Sequence, residues 1–169
     1  MRFEKVSFEQ FVADMEKWMQ DRFRLRFKDD YEKVTLPKRQ TKGSAGYDFV
    51  TPVRIILEPG QQAVIPSGIR AVFSEEELET WHLEVFVRSS LAIKRGLNII
   101  NQVEIIDADY FQGENGGDIL LALKNTSRKI IDIAPGERIC QGIFKIHGLT
   151  QDDDEEGHRS GGVGSTGKQ

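Results

Sequence analysis

The residues best suited to chemistry lie in Asn101 to Tyr110, NQVEIIDADY. An apolar run of Val103, Ile105 and Ile106 there leads straight into Asp107, Asp109 and Tyr110. A β-branched run of this kind reads as the strand of a buried hairpin, and a carboxylate directly after it stands at the mouth of what the hairpin encloses. Three further stretches carry groups suited to phosphate: VRSSLAIKRGL from Val87, PGERICQ from Pro135, and RSGGVGSTGK from Arg159. Arg88, Ser89 and Ser90 offer a planar cation and two hydroxyls to phosphate oxygens; the alternative is a solvated turn. Asp107 and Asp109 sit two apart and share a face on an extended chain. Either both are turn carboxylates bonding local N–H groups, or one is a general base that activates water. Tyr110 is either a ring on which a sugar or base rests or a core filler.

Other chemistries fit less well. A serine nucleophile needs a histidine base, and His82, the one nearby, has no evident orienter. His82, His147 and His158 share no metal-ligand spacing. Gly162 to Lys168 satisfies the G-x-x-x-x-G-K spacing of a nucleotide-binding loop, but Gln169 follows Lys168 where Ser or Thr is required. The composition still suits an arm that wraps a polyphosphate with backbone amides, Ser165, Thr166 and Arg159.

The elements that must position these groups are mostly short strands. Ser7 and Gln10 form a capping-box pattern, after which Phe8, Phe11, Val12, Met15, Trp18 and Met19 recur at helical spacing. The pattern predicts an amphipathic helix from 7 to about 23 whose apolar stripe packs on its own domain, on a neighbouring subunit or on a protein partner. Arg22 to Asp30 alternates basic and apolar residues and is open between a helix end and a short strand. From Leu36-Pro37 onward, β-rich runs appear at 47–50, 53–57, 62–66, 69–73, 83–87, 98–106, 118–123, 129–133 and 141–146, separated by Pro and Gly turns. Strands so spaced, with almost no helical pattern between them, indicate an all-β barrel or sandwich. Ser74 to Glu79 reads as a solvated turn or single helical turn. Gln151 to Gly157 is acidic and solvated, and the glycine-rich terminus is a flexible arm able to order on a ligand.

Composition narrows the function classes. The chain of 169 residues has 38% hydrophobic and 30% charged residues, ordinary for one soluble domain with its own core. A net charge of −4 argues against nucleic-acid binding by counterion release. A single cysteine, Cys140, excludes an intrachain disulfide framework and fits a reducing cytoplasm. No run approaches the roughly 20 apolar residues of a membrane span, and the first residues do not read as a signal peptide.

Taken together and in order, AGYDF at 45–49, VRSSLA at 87–92, NQVEIIDADY at 101–110, PGERICQ at 135–141 and RSGGVGSTG at 159–167 closely resemble the five motifs of the homotrimeric dUTPases. The Gram-positive bacterial and phage form is the nearest in pattern. The resemblance covers about four fifths of the chain. It implies a distorted jelly-roll β-barrel at 34–149, with residues 1–33 as an added helical extension and 150–169 as a flexible arm. It also implies three active sites shared among three subunits, and hydrolysis of dUTP to dUMP and pyrophosphate, which keeps uracil out of DNA and supplies thymidylate synthesis. Asp107 matches the carboxylate that deprotonates the attacking water. Asn101, Val103, Ile105 and Ile106 match the hairpin that reads uracil, and Tyr110 the ring under the deoxyribose. Arg88, Ser89, Ser90 and Gln141 match the phosphate and water-positioning set, and Arg159, Ser165 and Thr166 the contacts of the arm. Asp48 matches the carboxylate that reaches a Mg²⁺ shell through water, the metal being held mainly by the triphosphate. The expected location is the cytoplasm, or the host cytoplasm for a phage protein.

Two positions depart from the family pattern. Val163 stands where a phenylalanine usually stacks on uracil, so a contribution of ~1–3 kcal/mol is absent. Glu104 replaces a usual glycine and would be strained if that position needed a positive φ. Two alternative functions fit less well. A dCTP deaminase would need a glutamate where ALKN places Ala122. A regulatory nucleotide-binding protein acting through a partner has no need of Asp107.

Overall fold

The computed structural model describes residues 1–19, 26–154 and 157. The first strand, β1 (Arg2–Lys5), was not legible in the sequence, since RFEK contains one apolar residue. That residue, Phe3, places its ring 5.5 Å from Tyr47, 5.5 Å from Phe49 and 5.2 Å from Phe144. The predicted helix follows as α1 (Phe8–Met19), and the Ser7 hydroxyl accepts the Gln10 N–H at 3.1 Å; residues 20–25 lie outside those described. Phe11, Met15 and Met19 are buried within one core cluster together with barrel residues, so the apolar stripe of α1 is covered by its own chain. The ambiguous stretch after it resolves, where described, into the helix α2 (Phe27–Lys33), whose Tyr31 hydroxyl donates to the Val6 carbonyl at 2.7 Å.

The barrel strands are β2 (Tyr47–Val50), β3 (Ile55–Leu57), β4 (Gln62–Pro66), β5 (Ile69–Val72), β6 (Trp81–Val87), β7 (Leu97–Ile99), β8 (Glu104–Asp107), β9 (Leu120–Asn125), β10 (Ile131–Ile133) and β11 (Arg138–Ile146). Two short helices interrupt them: α3 (Glu75–Leu78), the single helical turn foreseen at 74–79, and α4 (Ser89–Arg95). Every pairing among the described residues is antiparallel, in sheets of order β1-β5, β10-β3, β2-β11-β6-β8 and β4-β9-β7. The result is an all-β barrel of jelly-roll type, closed by side chains such as Ile55, Leu57, Ile65, Leu83, Leu97 and Leu121. No described helix is long and apolar enough to cross a membrane.

Three differences from the sequence reading matter for the site. The run 98–106 is not one strand: β7 pairs with β9 and β8 with β6, so the chain changes sheet within four residues. The VRSSL stretch is no simple turn; Ser89 to Arg95 form α4, stopped by Gly96 at φ 71° as a left-handed cap. Asp107 and Asp109 do not share an extended face, because β8 ends at Asp107 and Asp109 heads a 3-10 turn over Tyr110–Gln112.

Gly68 shows how closely the amino-terminal segment is fitted to the barrel. It adopts φ +71°, and a Cβ there would stand 2.8 Å from Val34 Cγ2 and 3.1 Å from Phe11 Cδ2. Residues 1–19 and the barrel therefore share one core. Truncating Phe11→Ala should cost about 3–5 kcal/mol in a single cooperative transition. Coincident fluorescence and far-ultraviolet circular-dichroism midpoints would bear this out, and separate transitions would contradict it.

Candidate functional site

The groups named from the sequence fall into two half-sites. The first is built where β2, β11 and the start of α4 meet. Asp48 on β2 is opposite Gln141 on β11. Its carboxylate is buried between two guanidinium groups, Arg88 Nε at 3.2 Å and Arg138 Nη1 at 3.1 Å. Arg138, a cation inside PGERICQ, is not among the residues that the sequence motifs single out. Ser89 and Ser90 lie exposed on the first turn of α4, directly after Arg88. Gly46 gives the Gln141 side chain its room, since a Cβ on it would come within 2.7 Å of Gln141 Oε1. This half-site carries two cations beside one carboxylate, with hydroxyl and amide donors adjacent, a set suited to phosphate oxygens.

The second half-site is the turn between β7 and β8. Each of these strands is the outer member of its sheet, so each presents backbone N–H and C=O groups with no strand partner. Four residues join them, and Gln102 at their tip takes φ 70°, the one positive φ on a described non-glycine residue. The strain expected at Glu104 thus falls two residues earlier. Asn101 is exposed, Val103 half-buried, Ile105 52% exposed and Ile106 buried. Asp107 closes β8 on the exposed face, directly opposite His82. Tyr110 is buried, its hydroxyl donating to the Asp118 carbonyl at 3.1 Å and accepting from Asn115 Nδ2 at 2.8 Å.

Glu104 faces the other way from Asp107. One of its oxygens is buried with no hydrogen-bond partner, and burial pushes its carboxyl up, with the Asn101 side chain holding it partly down. On the exposed face next to Asp107, His82 Nδ1 lies 3.1 Å from His147 Nδ1, a meeting the linear spacing did not reveal. No group of three or more described His, Cys, Asp or Glu side chains could hold a metal ion unaided.

The two half-sites do not meet within one chain. Asp48, Gln141, Phe86, His82 and Asp107 all lie on one face of the sheet β2-β11-β6-β8. They occupy opposite edges of it: β2 and β8 are its outer strands, about 14 Å apart at about 4.8 Å per strand. Asp107 is level with His82 and Gln141 with Phe86, which adds about 13 Å along the strands. The diagonal is about 19 Å. Arg159, Ser165 and Thr166 lie outside the described residues.

A family model described as dUTPase matches residues 32–167. The deoxyuridine 5'-triphosphate nucleotidohydrolase of Lactococcus lactis is 36% identical over 137 residues, covering 79% of this chain and 89% of that protein. The Nautilia profundicola protein of the same name is 32% identical over 155 residues, covering 86% of this chain and 99% of its own. Among solved structures, the dUTPase of Streptococcus mutans superposes with a TM-score of 0.67 at 29% identity, covering 89% of this chain and 99% of that one. A mutant dUTPase from phage phi11 of S. aureus, reported with a structural Mg(II) ion, has a TM-score of 0.61 at 21% identity, covering 76% and 94%.

The close approach at Gly46 separates site from stability. Gly46→Ala should displace the Gln141 amide, the flexible end of its side chain, while lowering Tm by no more than about 4 °C. Calorimetry beside a structure of the variant measures both. A collapse in Tm would mean that the neighbour cannot give way.

Proposed function

The chain belongs to the dUTPase family, and on that premise we propose how its residues hydrolyse dUTP to dUMP. The enzyme is a dUTP diphosphatase on an all-β barrel; adding water at the α-phosphorus releases pyrophosphate. The observation that carries the assignment is the pair of half-sites on opposite edges of one sheet face.

The free edges around Asn101, Val103, Ile105 and Ile106 read uracil through backbone donors and acceptors. Cytosine would meet these groups with donor and acceptor reversed, and unpaired buried polar groups are costly. Tyr110 supports the deoxyribose, leaving no room for a 2'-hydroxyl. Asp107, at the exposed end of β8, orients one water and takes its proton as the water attacks phosphorus. Arg88, Ser89, Ser90 and Gln141 hold the phosphate oxygens and the water, and Arg159, Ser165 and Thr166 close over them.

Attack requires Asp107 and the phosphate donors to lie within a few ångströms of the same phosphorus, because reacting atoms stand about 3–3.5 Å apart. On one chain Asp107 lies about 16 Å from Gln141, two strands and four residues away, so the complete site takes its halves from different copies. Two unlike patches that meet between copies form a heterologous contact, and a closed ring of such contacts gives the homotrimer. The exposed Ile105, on the face between the half-sites, suits such an interface.

The residues present fit a Mg²⁺ that arrives on the triphosphate. Asp48, buried between Arg88 and Arg138, is the carboxylate that would meet its water shell. Bound there, Mg²⁺ supplies neutralising charge to the phosphate oxygens. A cytoplasmic location suits the lone, fully buried thiol of Cys140 in β11.

Pyrophosphate release from dUTP, UTP, dCTP and dTTP with Mg²⁺ tests the assignment. Release should be confined to dUTP, and Asp107→Asn should lower kcat by about 10²–10⁴-fold with little change in KM. Tight binding of dUTP without cleavage by the unmodified protein would instead favour a regulatory nucleotide-binding role.

A further inference from the structure

The turn that follows Tyr110 is held by hydrogen bonds from both ends. The Tyr110 hydroxyl donates to the Asp118 carbonyl at 3.1 Å, and Asn115 Nδ2 donates to both, at 2.8 Å to Tyr110 and 3.2 Å to Asp118. The Asp118 carboxyl is wholly buried. Its Oδ1 accepts the Gly68 N–H at 2.9 Å and the Ser67 hydroxyl at 3.3 Å, while its Oδ2 has no donor. Facing it from α1 is the carboxyl of Asp14, 3% exposed, which accepts from Gln10 Nε2 at 3.0 Å. One turn earlier on α1, the Gln10 side chain lies 3.3 Å from where a Cβ on Gly116 would sit. Thus α1 touches the turn twice, through Gln10 at Gly116 and through Asp14 at Asp118.

Two carboxylates brought together out of water cannot both stay ionised, and one proton between them gives the orphaned Oδ2 a donor. Resting on the nucleoside role assigned to Tyr110, we propose that Asp14 and Asp118 share one proton that latches the amino-terminal helix to the turn behind Tyr110 and so positions that ring for the nucleoside. Asp14 and Asp118 are positioning residues in this account. The family match spans residues 32–167, so the latch joins Asp14, before that span, to Asp118 within it.

The pH dependence follows from the groups around the pair. Burial raises both carboxyls, most strongly Asp118, which Asp14 raises further; Gln10 and Lys17 on α1 and the Ser67, Gly68 and Ile69 groups of the barrel act the other way. Separated and hydrated, each carboxyl returns to its ordinary range. The latched state therefore binds the proton more tightly. Its contribution is fully present below the ordinary carboxylate range and is lost as pH rises through the titration of the docked pair.

Steady-state kinetics on dUTP with the full chain, from mildly acid to alkaline pH, test this alongside Tm. In the unmodified protein KM should rise several-fold toward alkaline pH. Asp14→Asn supplies a permanent amide donor to Asp118, so KM should become independent of pH and alkaline Tm should exceed that of the parent. Asp14→Leu removes the donor and should raise KM throughout, with kcat unchanged. A parental KM profile in Asp14→Asn, or an unchanged KM at mildly acid pH in Asp14→Leu, overturns the latch. Tyr110→Ala separates the two levels. Unchanged KM in that variant refutes the nucleoside role of Tyr110 itself, whereas raised KM together with a parental Asp14→Asn profile refutes the latch alone.

Discussion

An outer strand of a sheet carries backbone donors and acceptors that no neighbour satisfies, and the rest of this molecule depends on where two such strands lie. β7 and β8 are joined by four residues, yet they belong to different sheets. Had they paired as an ordinary hairpin, their N–H and C=O groups would have bonded each other. Left apart, those groups form a polar edge fixed by the barrel on either side, which on the proposed function tells uracil from cytosine by the direction of its hydrogen bonds. Rigid backbone dipoles need no side-chain ordering when substrate arrives, which lowers the cost of binding.

The same sheet order sets the second constraint. Placing β11 and β6 between β2 and β8 holds Asp107 about 19 Å from Asp48. No local rearrangement closes such a gap across two hydrogen-bonded strands. On the proposed function, assembly of copies then becomes a condition of catalysis rather than an added stability. At the β2 edge, Asp48 keeps the Arg88 and Arg138 guanidinium groups compensated.

Much of this was legible in the residues. Runs bounded by Pro, Gly or a clear apolar alternation, such as 47–50 and 62–66, became strands with the same limits. The chemistry of the motif residues was also legible, because carboxylate, guanidinium and hydroxyl groups declare what they can bind. The change of sheet at 100–103 was not, since Ile99 to Ile106 keeps a β-branched texture through the turn and Gln102, not a glycine, takes the positive φ. Asp109 does not share an extended face with Asp107 because β8 ends at Asp107 and Asp109 caps the following 3-10 turn. At seven residues, α4 is too short to show helical periodicity, and only Gly96 marks its end. β1 rests on the single apolar residue Phe3, and the burial of Asp14 against Asp118 depends on contacts between segments about a hundred residues apart. Pairing order is non-local, so no linear pattern could reveal that the two half-sites lie on opposite edges.

The most direct test of shared sites mixes two defective proteins. Asp107→Asn leaves the phosphate half intact, and Arg88→Ala leaves the carboxylate half intact. Each alone should release little pyrophosphate from dUTP. After subunit exchange, verified by native mass spectrometry, the account predicts that activity returns, because some sites then combine an intact half from each parent. Confirmed mixed assemblies that stay inactive would contradict it and require both halves to serve one chain.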